Sequence, residues 1–153
     1  QLLDALPSVW DGSVSRTEQQ SERATKAPKI VNAEAEVRFD EVSAATAHNR
    51  CRGFAGSPAI WTGLSLDDGK PPVRAKLLRT VLPATPTGGG GDGSRALSLN
   101  GKTLELTCSD GSVLGVTELT LPGKKPVNAK SFWNGLNGRT ASWVGADEKP
   151  EEE

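Results

Sequence analysis

Methionine and tyrosine are absent from this 153-residue sequence, and histidine occurs once. A chain without Met is not a complete primary translation product, so the expectation is a processed form or a fragment whose missing upstream part can carry the chemistry. No run approaches the roughly 18 apolar residues of a membrane-spanning helix, and Gln1-Leu2-Leu3-Asp4 lacks the basic start and long apolar stretch of a secretory signal. No membrane partner is expected, and a monomer is. The two cysteines, Cys51 and Cys108, have neither metal spacing nor the density of a disulfide framework, so two reduced, buried thiols are expected. With His48 as the sole imidazole, a zinc site would need carboxylate ligands that no local motif supplies, and no metal is expected.

What is present is unevenly distributed charge. The net charge of -1 divides into 5 Lys+Arg against 8 Asp+Glu over residues 1–45, 12 against 6 over residues 46–146, and 1 against 5 over residues 147–153. A basic body between acidic ends favours an anionic partner such as RNA. The hydrophobic fraction of 35% suffices for one modest core, and the length fits about one domain.

Leu2, Leu3, Leu6, Val9 and Trp10 recur at helical spacing before Gly12, predicting a short helix interrupted or kinked at Pro7. Residues 13–42 are largely polar and read as a linker. Ser43 is placed to cap a helix over Ala44 to Arg52 that turns Ala44, Ala47 and Cys51 to one face and Arg50 and Arg52 away. Extended segments are predicted at Ala59 to Thr62 and Val73 to Leu77, the latter burying Val73, Ala75 and Leu77 while Arg74 and Lys76 face outward. Leu97 to Leu99 and Leu104 to Cys108 flank Asn100-Gly101, which predicts a two-residue hairpin with positive φ at both central positions. After a turn at Asp110-Gly111, Val113 to Leu121 forms a further strand whose parity changes near Gly115, where a bulge or an early end is expected. Pro122-Gly123 is a turn, Asn128 caps a helix over Ala129 to Leu136, and residues 141–153 form an acidic, disordered tail.

Five short strands, with one helix before and one after, predict a mainly β fold: an OB-fold-like five-stranded barrel over residues 43–140. A two-sheet sandwich is the structural competitor, for which five strands are few. Gly88, Gly90 and Gly93 satisfy G-x-G-x-x-G, but Pro83 and Pro86 precede them and a strand pattern follows, so a flexible loop is the better reading. No nucleophile or orienting carboxylate can be assigned to His48, which is read as a packing or capping residue. Arg50, Arg52, Arg74, Lys76, Lys124 and Lys125 are the candidates for a basic surface that contacts successive phosphates. With so few aromatic residues, backbone and shape recognition of a folded RNA is favoured over base stacking.

In this order, the segments Leu2-Leu3-Asp4-Ala5-Leu6, Ala24 to Ile30, His48 to Pro58 and Leu121 to Gly135 resemble the C-terminal part of methionyl-tRNA formyltransferase, over residues 1 to about 140. The wording Phe54-Ala55-Gly56 and Phe132-Trp133-Asn134-Gly135-Leu136 is similar to the plant and algal organellar enzymes, which implies a mitochondrion or plastid. In that family the amino-terminal domain binds 10-formyltetrahydrofolate and carries an Asn, His and Asp catalytic set. The C-terminal OB-fold domain helps to hold the initiator Met-tRNA. The resemblance therefore implies that residues 1–12 are the last helix of a catalytic domain absent from this chain, that residues 13–42 link it to the OB-fold, and that no catalytic residue lies here; His48 does not correspond to the catalytic His. No cofactor is expected on this chain. The rivals are the second domain of another 10-formyltetrahydrofolate enzyme and a free-standing RNA- or protein-interaction module. Ala27-Pro28-Lys29 and the basic balance of residues 46–146 favour the tRNA enzyme.

Overall fold

The alternation of Leu104 and Leu106 with polar neighbours, closed by the Asp110-Gly111 turn onto Val113, Leu114 and Val116, places one antiparallel pair at the heart of a sheet. The computed structural model describes residues 2–18, 20–54, 57–67, 69–84 and 94–145. Its helices are α1 (Leu2–Trp10), α2 (Ala44–Phe54) and α3 (Ala129–Gly135). Its strands are β1 (Trp61–Ser65), β2 (Val73–Val81), β3 (Ser98–Asn100), β4 (Thr103–Thr107), β5 (Val113–Thr120), β6 (Val127–Asn128) and β7 (Ser142–Trp143). The sheet runs β3-β4-β5-β2-β1-β7, antiparallel throughout, with β6 paired to β5.

The fold is mainly β and OB-fold-like, and all five expected strands are present. Two points correct the expectation of a five-stranded barrel. Strands β6 and β7, of two residues each, are too short to leave a periodic signal. The ladder path is also open between β3 and β7. Among the described residues an Ala96–Ser142 bridge, the bonds Leu97 N–H to Ala141 O (2.8 Å) and Trp143 N–H to Arg95 O (3.0 Å), and the Arg95 guanidinium over the Trp143 ring fasten its ends.

The hairpin between β3 and β4 forms one residue later than its Asn-Gly signal suggests. Asn100 pairs with Thr103 inside the ladder, Gly101 and Lys102 form the loop, and positive φ is confined to Gly101 at +60°. This is the type II′ pattern, with glycine at the first central position. Asn100 is held in the strand because its Nδ2 donates to Glu105 Oε1 at 2.9 Å. The expected irregularity at Gly115 is likewise displaced: β5 runs straight through it, and the β2–β5 register shifts around Leu78 and Thr117 instead. Gly115 has a different task, since a Cβ there would lie 2.5 Å from Thr103 Cγ2 and 2.8 Å from Val81 Cγ2. Side chains from both neighbouring strands close over the space that its missing side chain leaves.

Ser43 caps α2 as expected, its Oγ accepting from Thr46 N–H at 3.2 Å, and Ala44, Ala47 and Cys51 are buried. Asn128 Oδ1 accepts from Ser131 N–H at 2.8 Å and starts α3, which buries Ala129 and Phe132. The core begins upstream of residue 43. Val37 N–H donates to Trp61 O at 2.8 Å, Ser109 N–H donates to Phe39 O at 2.8 Å, and Phe39 packs edge-on against Trp143 at 5.8 Å. Val37 and Phe39 are fully buried, and removing side chains of this size from water stabilises a fold by about 1.5–3 kcal/mol each. Residues 35–42, read from sequence as linker, thus form part of the domain. Ala141, Trp143 and Val144, read as tail, are also buried, because β7 completes the sheet beside β1. By contrast α1 leaves Leu3 and Trp10 79% exposed, so these two apolar side chains have little cover among the described residues. The glycine run at 88–93 and the acidic residues 147–153 lie outside the described residues.

Candidate nucleic-acid interface

Strand β2 buries Ala75 and Leu77 and turns Arg74 and Lys76 to the opposite face, as alternation requires. Pairing then brings distant residues beside them. Lys76 lies opposite Trp61 of β1 on one side and Thr120 of β5 on the other. The Leu121–Lys124 turn, with Gly123 at φ +66° and Lys124 N–H bonded to Leu121 O at 3.1 Å, carries the chain over this face. The result is a cleft of about 540 Å³ floored by Arg74, Lys76 and Thr120, flanked by Lys124 and walled by Pro71, Pro72 and Pro122. A second hollow of about 660 Å³, also containing Arg74, Lys76 and Thr120, continues past Trp61 to Asn32 and Ile30. No carboxylate lines either hollow among the described residues.

Arg74 is the most constrained cation here. Its guanidinium carbon lies 4.1 Å from the centroid of the Trp61 ring, within cation–π range. Trp61 is in turn fixed by its indole N–H, which donates to Asn32 O at 2.9 Å, and by burial to 7% exposure. Arg74 Nε is shielded from water and has no hydrogen-bond partner among the described residues, and Thr120 Oγ1 is in the same condition.

The six sequence candidates separate into groups. Arg74, Lys76 and Lys124 share the main cleft. Lys125 joins Lys124 and Arg139 at an adjoining hollow of about 160 Å³ whose walls include Phe132 and Leu136. Arg50 lies on α2 beside Ile30, with Nη1 at 3.5 Å from Glu36 O, so its link to the cleft runs only along that residue. Arg52 is exposed and follows His48 by one helical turn, on the flank where His48 Nδ1 meets Thr80 Oγ1 at 2.9 Å. The six residues are not one surface, because Arg50 and Arg52 project about 200° apart around the helix. Sequence reasoning missed Trp61, Thr120 and Arg139. Trp61 and Thr120 carry no local motif, while Arg139 was discoverable only as a cation one turn past the α3 pattern.

Two other arginines are neutralised where they stand. Arg38 Nη1 lies 3.1 Å from Glu41 Oε1, and that bond, with the neighbouring charge of Glu36, raises its pKa above the ordinary value. Arg79 Nε lies 3.0 Å from Glu118 Oε2. Arg74, Lys76, Lys124 and Lys125 make no ion pair among the described residues. Burial pushes the Cys108 thiol up to about 11, which keeps it protonated and inert. The described residues contain no group of three His, Cys, Asp or Glu side chains able to hold a metal ion.

The class these features define is a mainly β, OB-fold-like domain with a basic cleft across one sheet face, lined by no carboxylate among the described residues. The chain belongs to the family described as formyl transferase, C-terminal domain, whose family model matches residues 29–137. Among curated proteins it is similar to the methionyl-tRNA formyltransferases of Chlamydia muridarum (31% identical, covering 92% of this chain and 43% of that protein) and Chlamydia abortus (29% identical, covering 90% and 41%). A Bradyrhizobium methionyl-tRNA formyltransferase is 31% identical over 88% of this chain and 40% of its own length. The chain therefore spans about two fifths of the relatives it matches.

Proposed function

We propose that this chain is the tRNA-binding part of a methionyl-tRNA formyltransferase, the enzyme that formylates the amino group of initiator Met-tRNA with 10-formyltetrahydrofolate in translation initiation. The observation that carries the reading is the concentration of Arg74, Lys76 and Lys124 in a cleft that, among the described residues, holds no carboxylate and pairs none of them, on a chain of this family. Arg38 and Arg79, by contrast, lie beside glutamates, so the cleft is where an anionic ligand gains most.

The domain's contribution is affinity and orientation. Holding the RNA body against β2 and the Leu121–Lys124 turn would present the acceptor end to a separate catalytic domain, and correct positioning can lower a barrier by several kcal/mol. The chemistry itself needs a base for the ammonium and donors for a tetrahedral oxyanion, and 10-formyltetrahydrofolate would supply the formyl group. The described cleft offers cations, a threonine and prolines, and the one histidine is engaged with Thr80, so these residues fit phosphate binding rather than that set.

The test is binding of a folded tRNA as salt is varied. Four phosphate contacts, one each for Arg74, Lys76, Lys124 and Lys125, predict an affinity loss on the order of 100-fold between 50 and 200 mM salt. Salt-independent binding, or none at low salt, would sink the reading and favour the domain of a formyl-folate enzyme that does not act on tRNA. A mitochondrial or plastid location is part of the proposal, supported by the organellar wording at residues 54–56 and 132–136. Imaging the full-length gene product with a fluorescent tag checks it, and a purely cytosolic signal contradicts it.

A further inference from the structure

The cleft contains two different kinds of cation. Lys124 stands on a turn, is exposed and makes no ion pair among the described residues. It can follow a phosphate anywhere within the reach of its flexible stem. Arg74 is half-buried, stacked on a tryptophan that is itself hydrogen-bonded to Asn32 O, and held by a β2 backbone paired there with Gly63 of β1. Its guanidinium is pre-positioned before any ligand arrives, so little rotamer freedom remains to be lost on binding.

Two polar groups beside it are unusual. Arg74 Nε and Thr120 Oγ1 are both shielded from water, and neither finds a partner among the described residues. The two residues sit on neighbouring strands, with Thr120 opposite Lys76 and Arg74 two positions before Lys76 on the same face. All three residues line both hollows. Shielded polar groups are normally paired, and donors left in this state gain most from an acceptor that a ligand brings. A phosphate oxygen is such an acceptor, and among the described residues no carboxylate in the lining competes with it.

We infer that Arg74, Thr120 and Lys76, with Trp61 as the platform beneath Arg74, form a discrete subsite for one phosphodiester of the RNA backbone, distinct in kind from the diffuse attraction of Lys124 and Lys125. This assignment rests on the tRNA-binding reading for its ligand, while its chemistry, an oxyanion on a stacked guanidinium, can be probed without RNA. The subsite fixes the register of the RNA on the domain; the lysine loop adds attraction. The distinction matters because Arg74→Lys keeps the charge and loses both the planar fork and the stack.

Two measurements on the intact chain test it. In the first, inorganic phosphate is titrated up to about 50 mM, a range suited to millimolar affinity, while the resonances of Arg74 Nε–H and the Trp61 indole are followed. A matched chloride titration controls for ionic strength. A saturable shift with phosphate, small with chloride and lost in Arg74→Lys and weakened in Thr120→Val, is expected. No saturable shift, or an equal one with chloride, overturns the subsite. In the second, tRNA binding is compared for wild type, Arg74→Lys and Lys124→Ala/Lys125→Ala across a salt series. Arg74→Lys should bind about 10-fold more weakly with its salt slope nearly unchanged, whereas the double lysine variant should lose about 2 from the slope. Wild-type affinity in a folded Arg74→Lys also overturns the subsite but leaves the tRNA reading standing. Failure of the wild type to bind tRNA overturns that reading, while the phosphate titration still decides the subsite.

Discussion

Arg74 and Arg79 stand five residues apart on one strand, in opposite electrostatic circumstances. Arg79 is exposed at the far end of β2, with Glu118 of β5 3.0 Å away. Arg74, at the near end, has a tryptophan face under it and no carboxylate in either adjoining hollow among the described residues. Arg38 repeats the first condition with Glu36 and Glu41. A count of basic residues treats all three as equal. The difference between them shows that capacity for an anionic ligand follows which cations the fold leaves unpaired, and how firmly it holds them.

The comparison is broken most severely by charge reversal on the unpaired side. Lys124→Glu with Lys125→Glu should weaken tRNA binding by about 100-fold at low salt, measured by filter binding, with the thermal midpoint little changed. Unaltered affinity would remove that loop from the interface. Next in size is an uncharged change that loosens the frame. Gly115→Val places methyl groups where Thr103 and Val81 already close in, and overpacking of this kind costs about 1–3 kcal/mol, read from denaturant unfolding. It should also expose the buried thiols of Cys51 and Cys108 to alkylation, which the lysine variants should not. This separates lost charge from lost structure.

A smaller effect is expected at the start of α3, where Asn128→Ala removes the bond to Ser131 N–H and should cost about 1 kcal/mol of stability. Cys108 gives a pH signature. Burial raises its pKa from 9.0 to about 11, so the folded state favours the neutral thiol. That contribution is intact below about pH 9 and is lost as pH rises toward 11. Cys108→Ser should flatten this alkaline decline in the thermal midpoint. The smallest effect should come from Arg79→Ala. An exposed ion pair is worth about 0–1 kcal/mol, and tRNA affinity should stay within about twofold of wild type. A large loss there would erase the distinction between paired and unpaired arginines.

Much of the frame was legible in the residues. The alternation in β2, the Ser43 and Asn128 caps, and the Asp110-Gly111 and Pro122-Gly123 turns all appear where their local chemistry places them, whereas β4, read as alternating, buries Glu105 and Thr107 as well as Leu104 and Leu106. The misplacements have local causes of a longer range. The hairpin shifts because Asn100 has a partner in Glu105, and Gly115 stays in line because Val81 and Thr103 arrive from other strands. Residues 35–42 look like linker for lack of period, yet Val37 and Phe39 are strapped to Trp61 and Ser109 by backbone bonds that no window around them contains.

For the interface, the sequence alone determined the supply of cations, their outward parity on β2, and the resemblance that the family match over residues 29–137 supports. Tertiary structure alone decided which of them meet. It set Arg74 on Trp61, put Thr120 beside Lys76, separated Arg50 from Arg52, and matched Arg38 and Arg79 with glutamates. The reason is physical: turn type, cap and alternation depend on a few neighbouring residues. Whether a charge is neutralised, stacked or left free depends on strand pairing between residues tens of positions apart.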